Sequence, residues 1–165
     1  MVTGVQTCAL PISGIGDVKA IEILCILELS KRLSRASAVG EISFNSPDSI
    51  AAYYMETMRH LEEERVLLLL LDGKHHLRKE IFLSQGTADS AYVSVKTIFV
   101  EAFRHEAVHI ILLHNHPSGC PEPSREDLVL TRRIREAGEL LGIPLTDHII
   151  IGDRCFTSLR EQGMM

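Results

Sequence analysis

The sequence contains no tryptophan, and aromatic residues make up only 5% of it. Proteins that bind single-stranded nucleic acid by stacking bases rely on such side chains, so that class is disfavoured. There is also no excess of basic residues, because the net charge is −5. A surface that neutralises nucleic-acid phosphates is usually basic, so phosphate binding as the main activity is disfavoured as well.

Long apolar runs are absent too, and no stretch approaches the roughly 18 apolar residues of a transmembrane helix. Residues 1–13 (MVTGVQTCALPIS) lack the basic start and apolar run of a signal peptide. The cysteines form no CxxC pair and no regular framework; they stand at Cys8, Cys25, Cys120 and Cys155. We therefore expect a cytoplasmic protein with reduced thiols and no membrane contact.

The chain has 165 residues, of which 45% are hydrophobic and 24% charged, which suits one compact domain with a short appendage. Residues 1–13 show no periodicity, and we interpret them as a flexible tail or a cloning or assembly artefact. Residues 14–45 are expected to hold one helix, Gly14–Leu33, and a small polar linker. Residues 46–165 are expected to form the main domain.

The main domain mixes helices and strands without a regular βαβ repeat, which predicts an α+β fold. Helices are expected at 47–63, 95–105 and 124–141, where Gly142 and Pro144 end the last one. Strands are expected at 66–71, 76–84, 107–113, 145–152 and 154–157. The strand over 107–113 (AVHIILL) is mostly apolar and rich in branched residues, which is typical of a central strand buried on both faces.

The chemistry is expected where this central strand ends, at His114, His116 and Asp127. Alternate strand residues point to the same side, so both histidines should project together. Asp127 falls on the apolar stripe of the helix that follows. A carboxylate turned inward beside two imidazoles is costly unless it is neutralised, and a zinc ion would neutralise it.

Each residue also has a plain structural explanation. Ser124-x-x-Asp127 resembles a capping box, and both histidines would be ordinary in a solvated loop. The three together favour a metal site. Three protein ligands leave a fourth position for water, which is the arrangement of a catalytic zinc.

The pattern His-x-His-Pro, with ten residues between the second His and an Asp, resembles the JAMM motif of JAB/MPN metallopeptidases. The longer string HNHPSGCPEPSREDLVLTRRIREAGELLGIPLTDHIIIG resembles the bacterial RadC family. The resemblance covers 46–165 and, weakly, 14–33. It implies a cytidine-deaminase-like mixed sheet flanked by helices, and a zinc-dependent hydrolase of peptide or isopeptide bonds.

The resemblance also implies a catalytic glutamate, and the position matched to it is Glu80, in KEIFLSQGT. Glu80 would hold the water and act as general base and then as acid. Its alternative is a solvated carboxylate on an edge strand. Ser124 matches the motif's serine and would donate to an oxyanion, cap the helix, or do both.

Asp147-His148 also resembles a RadC feature. His148 would either orient a ligand histidine through a hydrogen bond or be a buried structural residue. Cys120 is expected to be a loop residue. The remaining histidines are expected at the surface or in packing roles: His60, His75, His76, His105 and His109.

The start of the first helix, Gly14-Ile15-Gly16 followed by Lys19, resembles the end of a helix-hairpin-helix element. Such an element binds DNA phosphate at a helix N-terminus. A plain helix turn is the alternative, and we expect DNA contact there to be weak and salt-sensitive at most. The rival function is a DNA-repair-associated accessory protein of the RadC type.

Overall fold

The computed structural model describes residues 16–38, 44, 46–83 and 93–165. Contacts divide the chain into two units, 1–42 and 43–165. In the first unit the structure describes helix α1, Asp17–Ala38. This helix runs five residues beyond the predicted end at Leu33, because no glycine or proline interrupts the segment SRASA. The predicted tail and Gly14 lie outside the described residues.

The second unit is an α+β domain built on a five-stranded mixed sheet, as predicted. The sheet order is β2-β1-β3-β4-β5, in which only β3 and β4 pair in parallel. The strands are β1 Val66–Leu71, β2 Leu77–Phe82, β3 His109–Asn115, β4 Leu145–Ile151 and β5 Phe156–Ser158. The helices are α2 Pro47–Met58, α3 Val95–Arg104 and α4 Arg125–Leu141.

Two boundaries differ from the prediction in ways that matter for the site. Helix α2 ends at Met58, five residues early, and the acidic run Glu62–Glu64 is left in the irregular segment that leads into β1. Strand β3 continues to Asn115, two residues beyond the predicted end. His114 is therefore part of the sheet, where pairing on both sides fixes its direction.

The strand register sorts the residues of the sheet onto two faces. Val66 pairs with His114, and Leu68 pairs with Leu112, so these residues share one side, which we call the His114 face. Leu69 pairs with both Glu80 and Ile111, so the opposite side is the Glu80 face.

Each face is covered by different helices. On the His114 face, the core joins β1 and β3 to α3 and α4 through buried residues that include Leu68, Ile98, Leu112 and Ile134. On the Glu80 face, the hydroxyl of Tyr54 on α2 donates to Glu80 Oε2 at 2.8 Å. Both faces of β1 and β3 are thus buried, which explains why VLLLLL is apolar without alternation.

Helix α4 begins and ends at residues that its sequence indicates. Ser124 is the N-cap, and it forms a capping box with Asp127. At the other end Gly142 adopts a left-handed conformation with φ 72°, which favours glycine. No described helix is long and apolar enough to cross a membrane.

Candidate metal centre

The two histidines and the aspartate predicted as ligands converge at the end of β3. His114 Nε2 lies 2.9 Å from His116 Nε2 and 3.3 Å from Asp127 Oδ1. His116 Nε2 lies 3.5 Å from Asp127 Oδ2. Three atoms that can donate lone pairs therefore surround one point, and they come from a strand, the loop after it and the first turn of α4.

These separations suit a tetrahedral zinc ion. Bonds of about 2.0–2.1 Å at tetrahedral angles place ligand atoms roughly 3.3 Å apart. The three measured separations run from 2.9 to 3.5 Å. Two imidazoles and a carboxylate are also a donor set that zinc prefers. The residues present therefore fit the metal that the sequence predicts.

A second carboxylate stands beside these three residues, and it belongs to Glu64. One ligand atom from each of Glu64, His114, His116 and Asp127 can be chosen so that all lie within 4.8 Å of one another. Glu64 precedes Val66 by two residues, and Val66 is the Cα partner of His114. Because β1 runs antiparallel to β3, the approach to β1 lies where β3 ends.

The segment that carries Glu64 is held in place by Asn115, which is 1% exposed. The Asn115 Oδ1 accepts from Arg65 N at 2.9 Å, and its Nδ2 donates to Glu63 O at 3.1 Å. Asn115 lies between the two histidines in sequence and points to the other side of the strand. One amide thus fixes the backbone on both sides of Glu64.

The structure does not bring Glu80 to the cluster. Glu80 pairs with Leu69, on the face of the sheet opposite to His114. Its carboxylate accepts a hydrogen bond from Tyr54 on α2 instead. Because the sheet separates the Glu80 carboxylate from the cluster on the His114 face, the two cannot exchange a proton directly. The predicted position for the proton shuttle is therefore wrong, and the carboxylate beside the histidines is that of Glu64.

Behind His114 lies a buried chain of hydrogen bonds that fixes its tautomer. Thr131 Oγ1 donates to the Asp127 carbonyl at 2.6 Å, and it also lies 2.6 Å from His148 Nδ1. A hydroxyl has one proton, so with that proton on the carbonyl, Oγ1 accepts from His148 Nδ1. His148 Nε2 then accepts from His114 Nδ1, 2.8 Å away. His114 Nε2 is left with a free lone pair, which is what a metal requires.

Both alternatives considered for His148 are thus realised, because it is fully buried and also contacts His114. Burial keeps the pKa of His148 well below its usual value, and the nearby His114 lowers it further. The neighbouring Asp147 points to the other face, where it accepts from Ser158 Oγ at 2.6 Å. Burial raises the pKa of Asp147.

His116 is oriented by the loop that follows it. Its Nδ1 lies 2.9 Å from the Cys120 carbonyl, which can only accept, so Nδ1 carries the proton and Nε2 faces Asp127. The same loop passes close to Gly152, where a Cβ would collide with the Gly119 carbonyl oxygen, so only glycine permits this approach. Cys120 thus contributes its backbone, consistent with its predicted role as a loop residue.

Ser124 links the helix cap to the candidate ligand Asp127. Its Oγ donates to Asp127 Oδ2 at 2.6 Å, and its backbone N–H donates to the same oxygen at 2.7 Å. The capping role is confirmed. Ser124 also lines the cavity described below, and its predicted role as an oxyanion donor stays a prediction.

The electrostatics of the cluster favour a charged carboxylate. Burial raises the pKa of Asp127, but the neighbouring His114 and His116 outweigh burial and hold this pKa well below its usual range. The hydrogen bond to Asp127 raises the pKa of His116 despite partial burial. The cluster therefore holds an anionic carboxylate beside the two histidines.

The cluster opens into a cavity of about 590 Å³ between the His114 face and α4. This volume lies within the range of about 300–1,000 Å³ that is usual for ligand sites. Its walls include Glu64, Val66 and Val93 on one side and Ser124, Leu130 and Arg133 on the other. His114 and Asp127 of the cluster therefore face this cavity.

The remaining histidines and those predicted DNA-contact residues that the structure describes are not part of the cluster. His75 and His109 stack on each other, with ring centroids 4.4 Å apart, away from the cluster. His60, His76 and His105 each lie near an acidic side chain of their own segment. Gly16 and Lys19 belong to the start of α1, and the DNA contact predicted there stays a prediction.

The residues that sequence reasoning missed are Glu64, Asn115 and Thr131. A charged run directly before a buried strand was the available signal for Glu64. Its relevance depends on which strand β1 pairs with, and no local pattern gives that. Thr131 lies four residues after Asp127, on the same side of α4, and this spacing could have identified it.

Comparison with known proteins identifies the family of the chain. The family described as RadC-like JAB domain matches residues 44–164. The chain is 44% identical over 154 residues to the UPF0758 protein of Desulforamulus reducens, covering 93% of this chain and 68% of that protein. It is 45% identical over 154 residues to a UPF0758 protein of a Geobacillus strain, covering 92% and 67%. The chain thus spans about two thirds of the length of these relatives. It belongs to the RadC family, and its second unit is a RadC-like JAB domain with the mixed sheet of the JAB/MPN fold.

Proposed function

We propose that this domain is a zinc-dependent hydrolase of amide bonds, acting on a peptide or isopeptide. The observation that carries the proposal is the convergence of His114, His116 and Asp127 on one point, with the carboxylate of Glu64 beside it at the mouth of a cavity. Three ligands suit a catalytic rather than a structural zinc, since structural sites use four protein ligands.

The metal is assigned to the two Nε2 atoms and the Asp127 carboxylate. When bound, zinc would supply a water of lowered pKa and would polarise the carbonyl oxygen of the substrate. Thr131 and His148 hold His114 in the tautomer that this requires. The Cys120 carbonyl does the same for His116.

Glu64 is assigned the proton transfer. Its carboxylate is solvent-exposed at the cavity and lies close to the ligand atoms, so it can accept a proton from the attacking water. The same carboxyl group then returns the proton to the leaving nitrogen. Asn115 keeps this carboxylate near the reacting atoms by fixing the backbone around it.

Ser124 is assigned a supporting role at the carbonyl oxygen. In the structure its hydroxyl proton points to Asp127 Oδ2. If Asp127 shifts toward a metal, the hydroxyl is free to turn toward the cavity that it lines. There it would stabilise the negative charge that develops on the carbonyl oxygen of the substrate.

The test is zinc content followed by a search for hydrolysis. Purified protein should contain about one zinc per chain by plasma mass spectrometry, and the double variant His114→Ala, His116→Ala should contain none. The matched control is His75→Ala, His109→Ala, which removes two other neighbouring histidines. Equal zinc in both double variants would overturn the assignment of the site.

Hydrolysis is then sought by incubating the zinc-loaded protein with a peptide library and identifying new termini by mass spectrometry. The His114→Ala, His116→Ala variant is the blank. New termini that appear with wild type and the histidine control, but not with the blank, support an amide hydrolase. Cleavage of DNA by the same samples, without any new peptide termini, would contradict the proposal.

A further inference from the structure

Along α4, the cavity beside the cluster is lined by apolar residues and then by an arginine. We consider this part of the cavity as a substrate subsite. Six residues of this helix line it, and besides Arg125 and Asp127 they are Glu126, Val129, Leu130 and Arg133. We consider the last four here. Their spacing of three, four and seven residues from the first places them on one side of a helix. One continuous face of α4 therefore forms the wall, beginning beside Asp127.

The middle of this wall is apolar. Val129 and Leu130 on α4 line the cavity together with Val66 at the start of β1 and Val93 before α3. Val129 is 49% exposed, although a valine on an amphipathic helix usually packs inward. An apolar side chain of a ligand would find apolar contacts from three different parts of the chain.

Arg133 lies at the end of the wall away from the ligands. Among the residues that the structure describes, no ion pair or hydrogen bond involves its guanidinium, although Arg135 on the same helix pairs with Glu139. Arg133 follows Asp127 by six residues, which is about 9 Å along the helix axis. An extended peptide covers that distance in two to three residues.

The charge of the lining favours an anionic ligand once a metal is bound. Three carboxylates and two guanidinium groups line the cavity. A dication at the cluster therefore makes the lining net positive by one charge, in a chain whose net charge is −5. A carboxylate that enters would pair with Arg133 through charge-assisted hydrogen bonds, for which the planar guanidinium is well suited.

We propose that Arg133 selects substrates with a carboxylate two or three residues from the scissile amide and an apolar side chain between the two. The substrate class is thus an acidic peptide, or one that ends in a free carboxyl group close to the cleaved bond. This proposal rests on the proposed function, because the distance is counted from the metal ligands.

The experiment uses matched peptide hydroxamates, which bind zinc directly and need no knowledge of the natural substrate. Each probe carries a hydroxamate, a leucine and then aspartate or asparagine with an amidated end. In a second pair the aspartate or asparagine lies one residue further from the hydroxamate. Both pairs are made with the hydroxamate at the amino end and with the hydroxamate at the carboxyl end of the peptide. Binding to zinc-loaded protein is measured by calorimetry for wild type, Arg133→Gln and the control Arg132→Gln, which alters an exposed neighbour outside the cavity wall.

We expect wild type and Arg132→Gln to prefer the aspartate probe over the asparagine probe of at least one pair by about threefold to tenfold. Arg133→Gln should remove that preference and leave the asparagine probe unchanged. Equal binding of aspartate and asparagine probes by wild type in every pair would overturn the subsite while leaving the proposed function intact. So would loss of the preference in both variants, which would indicate general attraction by charge.

Two further outcomes separate the alternatives. If no probe binds to the wild type, or the probes bind equally well after zinc removal, the proposed function fails and the subsite fails with it. If a duplex oligonucleotide displaces the probes through Arg133 and the probes of each pair bind equally, the ligand is a phosphate and the proposal is overturned.

Discussion

A glutamate that solvent can reach lies on each side of the sheet, yet only one of the two lies beside a candidate metal cluster. On the Glu80 face, Glu80 accepts a hydrogen bond from Tyr54, and no metal-binding group of described residues includes it. On the His114 face, Glu64 lies within reach of three potential ligand atoms. Glu80 belongs to a strand, whereas Glu64 lies just before one.

The difference follows from pairing and parity. Successive residues of a strand point to opposite faces, so a shift of one position moves a side chain across the sheet. Glu80 is opposite Leu69, three residues along β1 from Val66, and three is an odd number. A carboxylate on this strand would need an even offset from Val66 to share the face of His114. Both residues are glutamates, and the strand register alone decides which of them lies beside the histidines.

The largest expected effect comes from exchanging the two carboxylates for amides one at a time. Glu64→Gln should keep zinc and lose at least about 100-fold in hydrolysis rate, the lower end for a general acid–base group. Glu80→Gln should keep both the zinc and the rate to within a few fold. Zinc is measured by mass spectrometry, and the rate is measured with any peptide that the wild type cleaves. A large loss in Glu80→Gln together with an active Glu64→Gln would reverse the comparison.

The local features of the fold were open to prediction from the sequence, and the pairing of strands was not. The run VLLLLL and the dipeptide Asp72-Gly73 gave β1 its correct limits. The cap at Ser124 and the stop at Gly142 gave α4 nearly correct limits. These elements depend on neighbours within a few residues in the chain.

The candidate ligands were predictable because they too are close in sequence. His114 and His116 lie at the end of one strand, and Asp127 lies in the first turn of the helix that follows. The carboxylate beside them was not predictable in this way. Glu64 precedes His114 by fifty residues, and it reaches the site only because β1 lies antiparallel beside β3. The resemblance directed attention to a later glutamate, and no property of KEIFLSQGT reveals which face of the sheet that glutamate occupies.

The second expected effect concerns the hydrogen bonds from Thr131 through His148 to His114. Thr131→Val keeps the shape of the side chain but removes the hydroxyl that fixes His148, so His114 is no longer held in one tautomer. Zinc affinity should fall by about 10–100-fold, as is usual when such supporting groups are lost. Competition with a chromophoric chelator measures it.

The control for this effect is Thr131→Ser, which retains the hydroxyl and should bind zinc nearly as the wild type does. Thermal unfolding in the presence of chelator shows whether the valine variant is folded. Wild-type zinc affinity in a folded Thr131→Val protein would show that the hydrogen-bond chain does not orient the ligand.

The third expected effect concerns stability on the Glu80 face. Tyr54→Phe removes the hydroxyl that donates to Glu80 and should lower the free energy of unfolding by about 0.5–1.5 kcal/mol. Zinc content should be unchanged, because α2 covers the face away from the ligands. Urea unfolding measures the first quantity and mass spectrometry the second. Loss of zinc in this variant would mean that the two faces are coupled.

The smallest expected effect is a pair of opposite pH dependences, one from each face, in chelator-treated protein. The hydrogen bond to Asp127 raises the pKa of His116, so the folded state holds that proton above the unfolded value of about 6.5. Stability from this proton is complete below about pH 6.5 and is lost as the pH rises through the folded pKa. On the Glu80 face, burial and then the nearby His75 lower the pKa of His109. Between that lowered pKa and about 6.5 the unfolded state binds more protons, so stability increases with pH there.

Urea unfolding from pH 5 to 8 measures both dependences. His116→Gln should flatten the decrease of stability above about pH 6.5, and His109→Gln should flatten the increase of stability below about pH 6.5. The same change of slope in both variants would contradict the separation of the two faces.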